Sequence, residues 1–216
     1  MRALFIDLAS SKKIFALVTD KKTLCSAEID DRTGEELLLS VIESLLKKSG
    51  WKFDDLTHIA AITGPGGFMS LRVAISLANA LSWSLKIPIA GIHLSDLWAS
   101  RLLSPNPDSF LWLHSTKKNL LFVRGFGKFA KAWPEPVCIT IDEFEAKSRK
   151  LPVQTDNRPG GRVSGYVGEL IEEHKEVLKQ LKPLTPILPV EKVLSKLLTD
   201  CTWKNEILNP WYGRSG

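Results

Sequence analysis

The residues most able to carry chemistry are four in a row, Gly64-Pro65-Gly66-Gly67, between an apolar strand pattern and an apolar helix pattern. A glycine-rich turn that opens a helix can point backbone amides at a phosphate. A P-loop would also need the lysine and hydroxyl of GxxxxGK(S/T), and a dinucleotide site would need a glycine where Met69 stands. Two interpretations stay open: a nucleotide site with Gly64, Gly66 and Gly67 as binding residues, or a sharp structural turn.

Asp7 follows the first apolar strand pattern, and it is the one carboxylate placed where a nucleotide-binding fold could use it. The alternative is that it caps a turn, as aspartates at strand ends commonly do. Arg72 lies in the first helical turn after the glycines, where the helix dipole disfavours a cation by about 0.3–1 kcal/mol. We therefore expect Arg72 to have a fixed partner at the junction of the two halves, either a set of carbonyls or a carboxylate, with Asp7 as one candidate.

Histidine and cysteine do not form a catalytic or metal-binding pattern. The four histidines are too scattered for HExxH or HxxxH spacing, and the three cysteines contain no CxxC. The GxSxG turn of a serine hydrolase is also missing. The four histidines are His58, His93, His114 and His174, and the three cysteines are Cys25, Cys138 and Cys201. The sequence therefore predicts no catalytic residue and no metal site.

The 216-residue chain is 44% hydrophobic and 25% charged, as expected of a soluble globular protein with a sizeable core. Its N-terminal apolar run ends at Asp7, which is too short for the core of a signal peptide. No run approaches the roughly 18 uninterrupted apolar residues that a membrane-spanning helix needs. We therefore expect a cytoplasmic protein with no membrane segment.

The net charge of +5 is unevenly distributed. Residues 109–134 contain five basic side chains and no acid, and residues 147–162 contain five more with one acid. Such a field can attract a polyanion such as RNA. The alternative is an ordinary solvated surface, with the aromatic residues of the first stretch in the core. The basic residues of the first stretch are Lys117, Lys118, Arg124, Lys128 and Lys131.

The elements that must position the glycine turn are readable from the hydrophobic pattern. Three short strands joined by tight turns come first, and strands and helices then alternate. Strand–helix–strand spacing this short indicates parallel pairing through a crossover. The predicted elements are strands within 2–30, a helix over 34–50, a strand over 57–63, a helix over 68–86, a strand over 87–92 and a helix from 94.

Residues 103–109 are rich in proline, asparagine and serine, as a linker is. Beyond them the pattern restarts in degraded form, with three strands and then further helices. We therefore predict an α/β protein with two domains, 1–103 and 104–216, each a mixed β-sheet with helices.

Both helices of the first half carry more apolar surface than one sheet contact requires. The helix over 68–86 also has small residues along a second side, which would let a neighbouring helix approach closely. We predict a helical protein–protein interface; the alternative is that the two helices cover each other. The predicted interface residues are Leu38, Val41, Ile42, Leu45, Val73, Ser76, Leu77, Ala80 and Ser84.

A charge on the small-residue side would disrupt such an interface. We expect that Ala78→Arg or Ala80→Arg abolishes association while the fold stays intact. Normal association of both variants would show that the wrong surface was chosen.

Two motifs resemble the TsaB (YeaZ) family of TsaD paralogues, in the actin–hexokinase–Hsp70 (ASKHA) superfamily. That family shows Ile-Asp-Thr-Ser near the start, then Gly-Pro-Gly-Ser-Phe-Thr-Gly-Leu-Arg and a helix that ends before a Gly-Ile-Pro strand. Here Ile6-Asp7-Leu8-Ala9-Ser10 lacks the threonine, and Gly67, Met69 and Ser70 depart from the Ser-Phe-Thr-Gly core. The matching residues are Gly64, Pro65, Gly66, Phe68, Leu71 and Arg72.

The resemblance implies a two-lobed ASKHA fold and a role in making N6-threonylcarbamoyladenosine at position 37 of tRNAs. It implies a non-catalytic scaffold that pairs through its N-terminal helices with a TsaD-type paralogue, or with a second copy of itself. A TsaE-type ATPase and the tRNA substrate would join the assembly. From the departures we predict no cofactor for the chain itself; the alternative is ATP or ADP bound weakly or at the partner interface. The alternatives are an ATP-dependent kinase or acyl-transfer enzyme of the same fold, and a stand-alone tRNA-binding module.

Overall fold

A computed structural model describes residues 1–30, 32–102, 109–148, 165–185 and 187–213. The chain divides into two compact units, Met1–Ser100 with Pro189–Tyr212, and Arg101–Leu188 with the residues from Gly213 onward. The predicted division into 1–103 and 104–216 is therefore corrected in one respect, because Pro189–Tyr212 belongs to the first unit. The linker predicted at 103–109 lies almost wholly outside the described residues.

The first unit contains a five-stranded sheet in the order β3-β2-β1-β4-β5. The first three strands form an antiparallel meander, whereas β4 pairs in parallel with both β1 and β5. This confirms the predicted mixed sheet with crossover helices. Its elements are β1 (Arg2–Asp7), β2 (Ile14–Thr19), β3 (Thr23–Glu28), α1 (Leu38–Ser49), β4 (His58–Gly64), α2 (Phe68–Leu85), β5 (Ile89–His93) and α3 (Leu94–Ser100).

The helices α1 and α2 cover one face of this sheet. Alternation along β1 sends Leu4 and Ile6 to that face, where they meet Ile42 of α1 and Ala74 of α2 in one core cluster. The helix α1 ends at Gly50, whose left-handed backbone (φ 72°) lets its N–H bond to carbonyls of the last turn. The sheet's other face is also buried, and α3 contacts β4 and β5.

The second unit repeats the topology of the first. Its sheet has the order β10-β9-β6-β7-β8. The strands β6, β7 and β8 again form an antiparallel meander, whereas β9 pairs in parallel with both β6 and β10. The loose duplication predicted from the sequence is thereby confirmed. Its elements are β6 (Phe110–Lys117), β7 (Leu120–Phe126), β8 (Val137–Ile139), α4 (Ile141–Ser148), β9 (Gly165–Val167), α5 (Glu172–Val177) and β10 (Lys182–Pro183).

The chain then returns to the first unit. The helix α6 (Val190–Thr199) contacts β2, β3 and α3. Residues 200–212, here named the C-terminal strap, then run along the free edge of β5. Ile89 and Lys204 exchange backbone hydrogen bonds of 2.8 and 3.0 Å there, in an isolated antiparallel bridge. The strap therefore protects an edge strand that would otherwise be open.

By length and composition, α2 is one helix in the described part of the chain that could cross a membrane. Such a result is weak, because the core helices of soluble proteins pass the same test. One side of α2, with Leu71, Ala74, Ile75 and Ala78, is buried against the sheet.

Candidate functional site

The glycine turn between β4 and α2 is packed by the chain's own backbone. Gly64 has φ 136°, and a Cβ at this position would overlap the carbonyl oxygen of Trp211 in the strap. The Trp211 N–H donates to the Thr63 carbonyl at 2.7 Å. A Cβ at Gly66 would lie 2.8 Å from the Cβ of Ala9. At two of the three candidate phosphate-binding positions, another part of the chain therefore packs too closely for a side chain. This close packing supports the interpretation as a structural turn.

Gly67 differs from the other two glycines. Its φ of −59° is accessible to any residue, and the heavy atom nearest to an added Cβ is Ser70 Oγ at 3.5 Å. Its carbonyl accepts the first hydrogen bond of α2, from the Leu71 N–H at 2.9 Å. Gly67 therefore starts the helix without being needed for close contact.

Asp7 is fully buried at the end of β1, where it organises the turn beneath the glycines. Its Oδ1 accepts hydrogen bonds from the Ala9 and Ser10 N–H groups at 2.9 and 3.0 Å. Its Oδ2 accepts one from the Ser10 hydroxyl at 2.6 Å. This geometry agrees with the turn-capping interpretation, and it holds Ala9 against Gly66.

The predicted pairing of Arg72 with Asp7 is wrong. Arg72 is exposed, and its guanidinium carbon lies 4.5 Å from the centre of the Phe68 ring. The Asp7 carboxylate is buried and already bound by the turn that it caps. The cation thus finds an aromatic face one helical turn away instead of a carboxylate.

Three of the predicted interface residues are core residues. Leu38, Ile42 and Leu45 of α1 belong to the core cluster that packs on the sheet, so they cannot form a surface for a partner. The leucine stripe of α1 is wide because the helix lies over both β2 and β3, and its residues contact both strands. Leu37 and Leu39, which flank the buried positions, are the exposed leucines of this region.

The predicted interface positions on α2 lie nearer to the surface. Ser76, Ala80 and Ser84 are exposed, whereas Val73 and Leu77, like Val41 of α1, are half-buried against the core cluster. Ala78 is fully buried, so the expectation that Ala78→Arg leaves the fold intact is wrong. Helical spacing places the outward residues on the side opposite the core, and we call them the outward face of α2. This face consists of Met69, Val73, Ser76, Ala80, Trp83 and Ser84.

The strap covers one flank of α2, a feature that sequence reasoning missed. The Asn79 side chain donates to the Leu208 carbonyl at 3.0 Å and accepts from the Leu208 N–H at 2.9 Å. Phe68 packs on Tyr212 with ring centres 5.3 Å apart. The one available signal was Asn79, a lone amide in an apolar helix, which needs a polar partner when it is half-buried.

Exposed large hydrophobic side chains concentrate around α2. Met69 is 60% exposed and Trp83 is 85% exposed, and Leu37 and Leu39 lie at the start of the neighbouring α1. Grouped hydrophobic exposure of this kind marks a surface that another protein covers. The outward face of α2 is therefore the candidate functional site of the first unit.

The basic stretch of the second unit is largely surface. Lys117, Lys128 and Lys131 are exposed, and the Lys118 ammonium lies 2.8 Å from the Glu173 carboxylate, which raises the pKa of Lys118. The aromatic residues Trp112, Phe122, Phe129 and Trp133 are buried, as the core interpretation expects. The second basic stretch, 147–162, lies outside the described residues apart from its first two.

His114 is a buried histidine in β6 of the second unit. Its ring lies 5.9 Å from that of Trp112, and its Nδ1 lies 4.0 Å from Glu169 Oε2. Neither ring nitrogen has a hydrogen-bond partner among the described residues. Burial lowers the pKa of His114, and the Glu169 carboxylate opposes that shift only in part. Across the described chain, no group of three His, Cys, Asp or Glu is placed to hold a metal ion.

We expect the stability of the second unit to fall in acid because of His114. The unfolded chain takes up a proton near pH 6.5 and the folded chain only at lower pH, so stability is lost as pH falls below about 6.5. The variant His114→Phe removes this pH-dependent contribution to the free energy of unfolding, which is worth up to about 1.4 kcal/mol per pH unit. Urea unfolding of both proteins between about pH 5 and 8 measures the difference in slope. Equal slopes would contradict the assignment.

Comparison with known proteins adds to this geometry. A family model described as "TsaD: tRNA N6-adenosine threonylcarbamoyltransferase" matches residues 28–138. The tRNA N6-adenosine threonylcarbamoyltransferase of Syntrophus aciditrophicus is 30% identical over 151 residues, 60% of this chain and 45% of that protein. The tRNA threonylcarbamoyladenosine biosynthesis protein TsaB of Escherichia coli is 29% identical over 92 residues, 43% of this chain and 40% of that protein. The chain thus spans less than half the length of these relatives.

A solved structure shares the fold. It is described as an uncharacterized protein from Pseudomonas aeruginosa with similarity to peptidase YEAZ, and the TM-score is 0.66 over 99% of both chains at 17% identity. At that identity the likeness concerns the fold alone. The match supports the arrangement of two mixed sheets with helices.

Proposed function

We propose, for a chain that belongs to the TsaB (YeaZ) family of TsaD relatives, a scaffold function in the threonylcarbamoyladenosine modification of tRNA. In this proposal the chain carries out no catalysis alone. It pairs with a TsaD-type paralogue, which performs the transfer, and the outward face of α2 is the pairing surface. The predicted ASKHA-like fold, now confirmed by the solved neighbour, is the framework that holds this face.

The observation that carries the proposal is the outward face of α2 itself. Ser76, Ala80 and Ser84 form a strip without large side chains, and Met69 and Trp83 stand exposed at its two ends. Small residues let two helices approach to about 8–10 Å between their axes. Large apolar residues at the ends supply the area that stabilises such a contact. A helix face of this composition is more stable in contact with another helix than exposed to water.

The same face would serve a second copy of the chain in the absence of the paralogue, because related subunits present related helices. A TsaE-type ATPase would join the pair, and the tRNA would be bound by the complete assembly. The exposed Lys117, Lys128 and Lys131 offer phosphate contacts for the tRNA. A weakly bound ATP or ADP would lie at the partner interface, because Trp211 and Ala9 of this chain occupy the space beside Gly64 and Gly66.

Co-expression with the TsaD-type paralogue of the same genome tests the proposal. We expect a complex in size-exclusion chromatography with light scattering, and threonylcarbamoyladenosine in tRNA, measured by mass spectrometry, only when both proteins are present. Formation of the product by the paralogue alone at the same rate would contradict a scaffold role.

Two further measurements separate the alternatives. ATP turnover by the isolated chain would favour an ATP-dependent enzyme. Tight binding of tRNA by the isolated chain, with affinity that falls steeply as salt rises, would favour a stand-alone RNA-binding module.

A further inference from the structure

Two exposed apolar pairs lie where α2 meets the strap, and each consists of one residue of α2 and one residue of the strap. Phe68 and Tyr212 form the first pair, 54% and 38% exposed, with ring centres 5.3 Å apart. Trp83 and Ile207 form the second pair, 85% and 77% exposed, and both line one cavity of about 590 Å³. Along the helix the two pairs are about 22 Å apart, from a rise of about 1.5 Å per residue.

The strap holds these pairs in fixed positions. Between them Asn79 makes two hydrogen bonds with the backbone of Leu208, and the N–H of Trp211, next to Tyr212, donates to the Thr63 carbonyl. Nearer the start of the strap, the backbone of Lys204 exchanges two hydrogen bonds with the backbone of Ile89. Apolar groups fixed before binding lose little entropy on association, so they are effective anchors.

The outward face of α2 is too small to form a stable protein–protein interface by itself. Its 18 residues make a helix of about 27 Å, and with a helix width of about 10–12 Å the outward strip covers on the order of 300 Å². A stable protein–protein interface buries about 800 Å² on each partner. The flanks of α2 must therefore contribute, and the strap is the flank that presents exposed apolar side chains near both ends of the helix.

We propose that the strap is part of the docking surface, and that the cavity between Trp83 and Ile207 receives an apolar side chain from a helix of the TsaD-type paralogue. This inference rests on the proposed function and extends it to residues outside α2. Ile207 and Trp83 are the main anchors, because they are the most exposed of the large apolar residues and share one concave site.

The variant Ile207→Glu tests the inference, with Leu24→Glu as the matched control. Leu24 is also an exposed aliphatic residue, but β3 lies at the opposite edge of the sheet from β5 and the strap. We expect Ile207→Glu to weaken binding of the paralogue at least tenfold, measured by isothermal titration or biolayer interferometry, with an unchanged melting temperature. Leu24→Glu should bind within twofold of the unmodified chain.

The outcomes separate this inference from the function that it extends. Unchanged binding by Ile207→Glu, together with lost binding by Ala80→Arg, overturns the role of the strap and leaves the α2 interface standing. No binding of the paralogue by the unmodified chain overturns both. A chain that self-associates through Ile207 without binding the paralogue overturns the choice of occupant.

Discussion

Replacing Ala80 with arginine is expected to abolish association with the TsaD-type paralogue while the first unit stays folded. Ala80 is exposed on α2, between Met69 and Trp83 in the sequence, and helical spacing places it on the side opposite the buried Ala78. An arginine there would hold the two helices apart and would bring an unpaired charge into the centre of the contact. Burying an unpaired charge costs about 3–5 kcal/mol, which corresponds to at least a hundredfold loss of affinity.

The matched control is Ala78→Arg, two residues earlier on the same helix. Ala78 lies in the core cluster with Ala74 and Ile75, so its replacement should unfold the first unit. Circular dichroism and thermal melting should therefore distinguish the variants: Ala80→Arg keeps the native melting temperature and Ala78→Arg does not. The binding measurement is interpretable only for the variant that keeps its fold.

A folded Ala80→Arg variant that binds the paralogue normally would contradict the choice of surface. A change in the oligomeric state of the isolated chain would be informative as well. If Ala80→Arg converts a self-associated chain to a monomer and also loses the paralogue, then one face serves both contacts. Light scattering on each protein, alone and mixed, provides both readings.

Much of the fold follows from the sequence because its elements are local. The alternation in β1 indicates a strand, and the glycine after α1 indicates the end of a helix. The short strand–helix–strand spacing around β4 indicates a parallel crossover. The structure contains all three. The repetition of three antiparallel strands followed by parallel strands is likewise a pattern along the chain. Each of these features leaves a pattern within one strand, one helix or one connection.

The contacts that were missed join distant parts of the chain. The bonds between Asn79 and Leu208 span 129 residues, and no periodicity in a helix shows which segment will cover its flank. The return of α6 to the first unit has the same character, because its amphipathic pattern fits any apolar sheet face. Pattern reasoning therefore placed residues 189–212 in the second domain, whereas packing placed them in the first.

The candidate interface was predictable in part. A wide apolar stripe on a helix has two explanations, contact with two strands or contact with a partner, and amphipathicity cannot separate them. For Leu38, Ile42 and Leu45 the first explanation holds. For α2 the sequence left both explanations open, and the structure shows Ala74 and Ala78 buried in the core and Ser76, Ala80 and Ser84 exposed.

Replacing Gly64 with alanine is expected to destabilise the first unit by about 2–5 kcal/mol. Two costs combine: a φ of 136° is strained for any residue with a Cβ, and that Cβ would overlap the Trp211 carbonyl. Because the Trp211 N–H is bound to Thr63, the strap cannot move away without losing that hydrogen bond. We expect urea unfolding to show the loss, and hydrogen exchange to show faster opening of residues 200–212.

The glycine turn contains its own control, Gly67→Ala. Gly67 has an ordinary φ and no heavy atom closer than 3.5 Å to an added Cβ, so this change should cost less than about 1 kcal/mol. The contrast between the two variants separates the two interpretations of the Gly-Pro-Gly-Gly segment. A structural turn requires a large loss of stability at Gly64 and almost none at Gly67. If both variants kept full stability and lost nucleotide binding instead, the glycines would serve an anion, and the close packing of Trp211 on Gly64 would have no energetic importance.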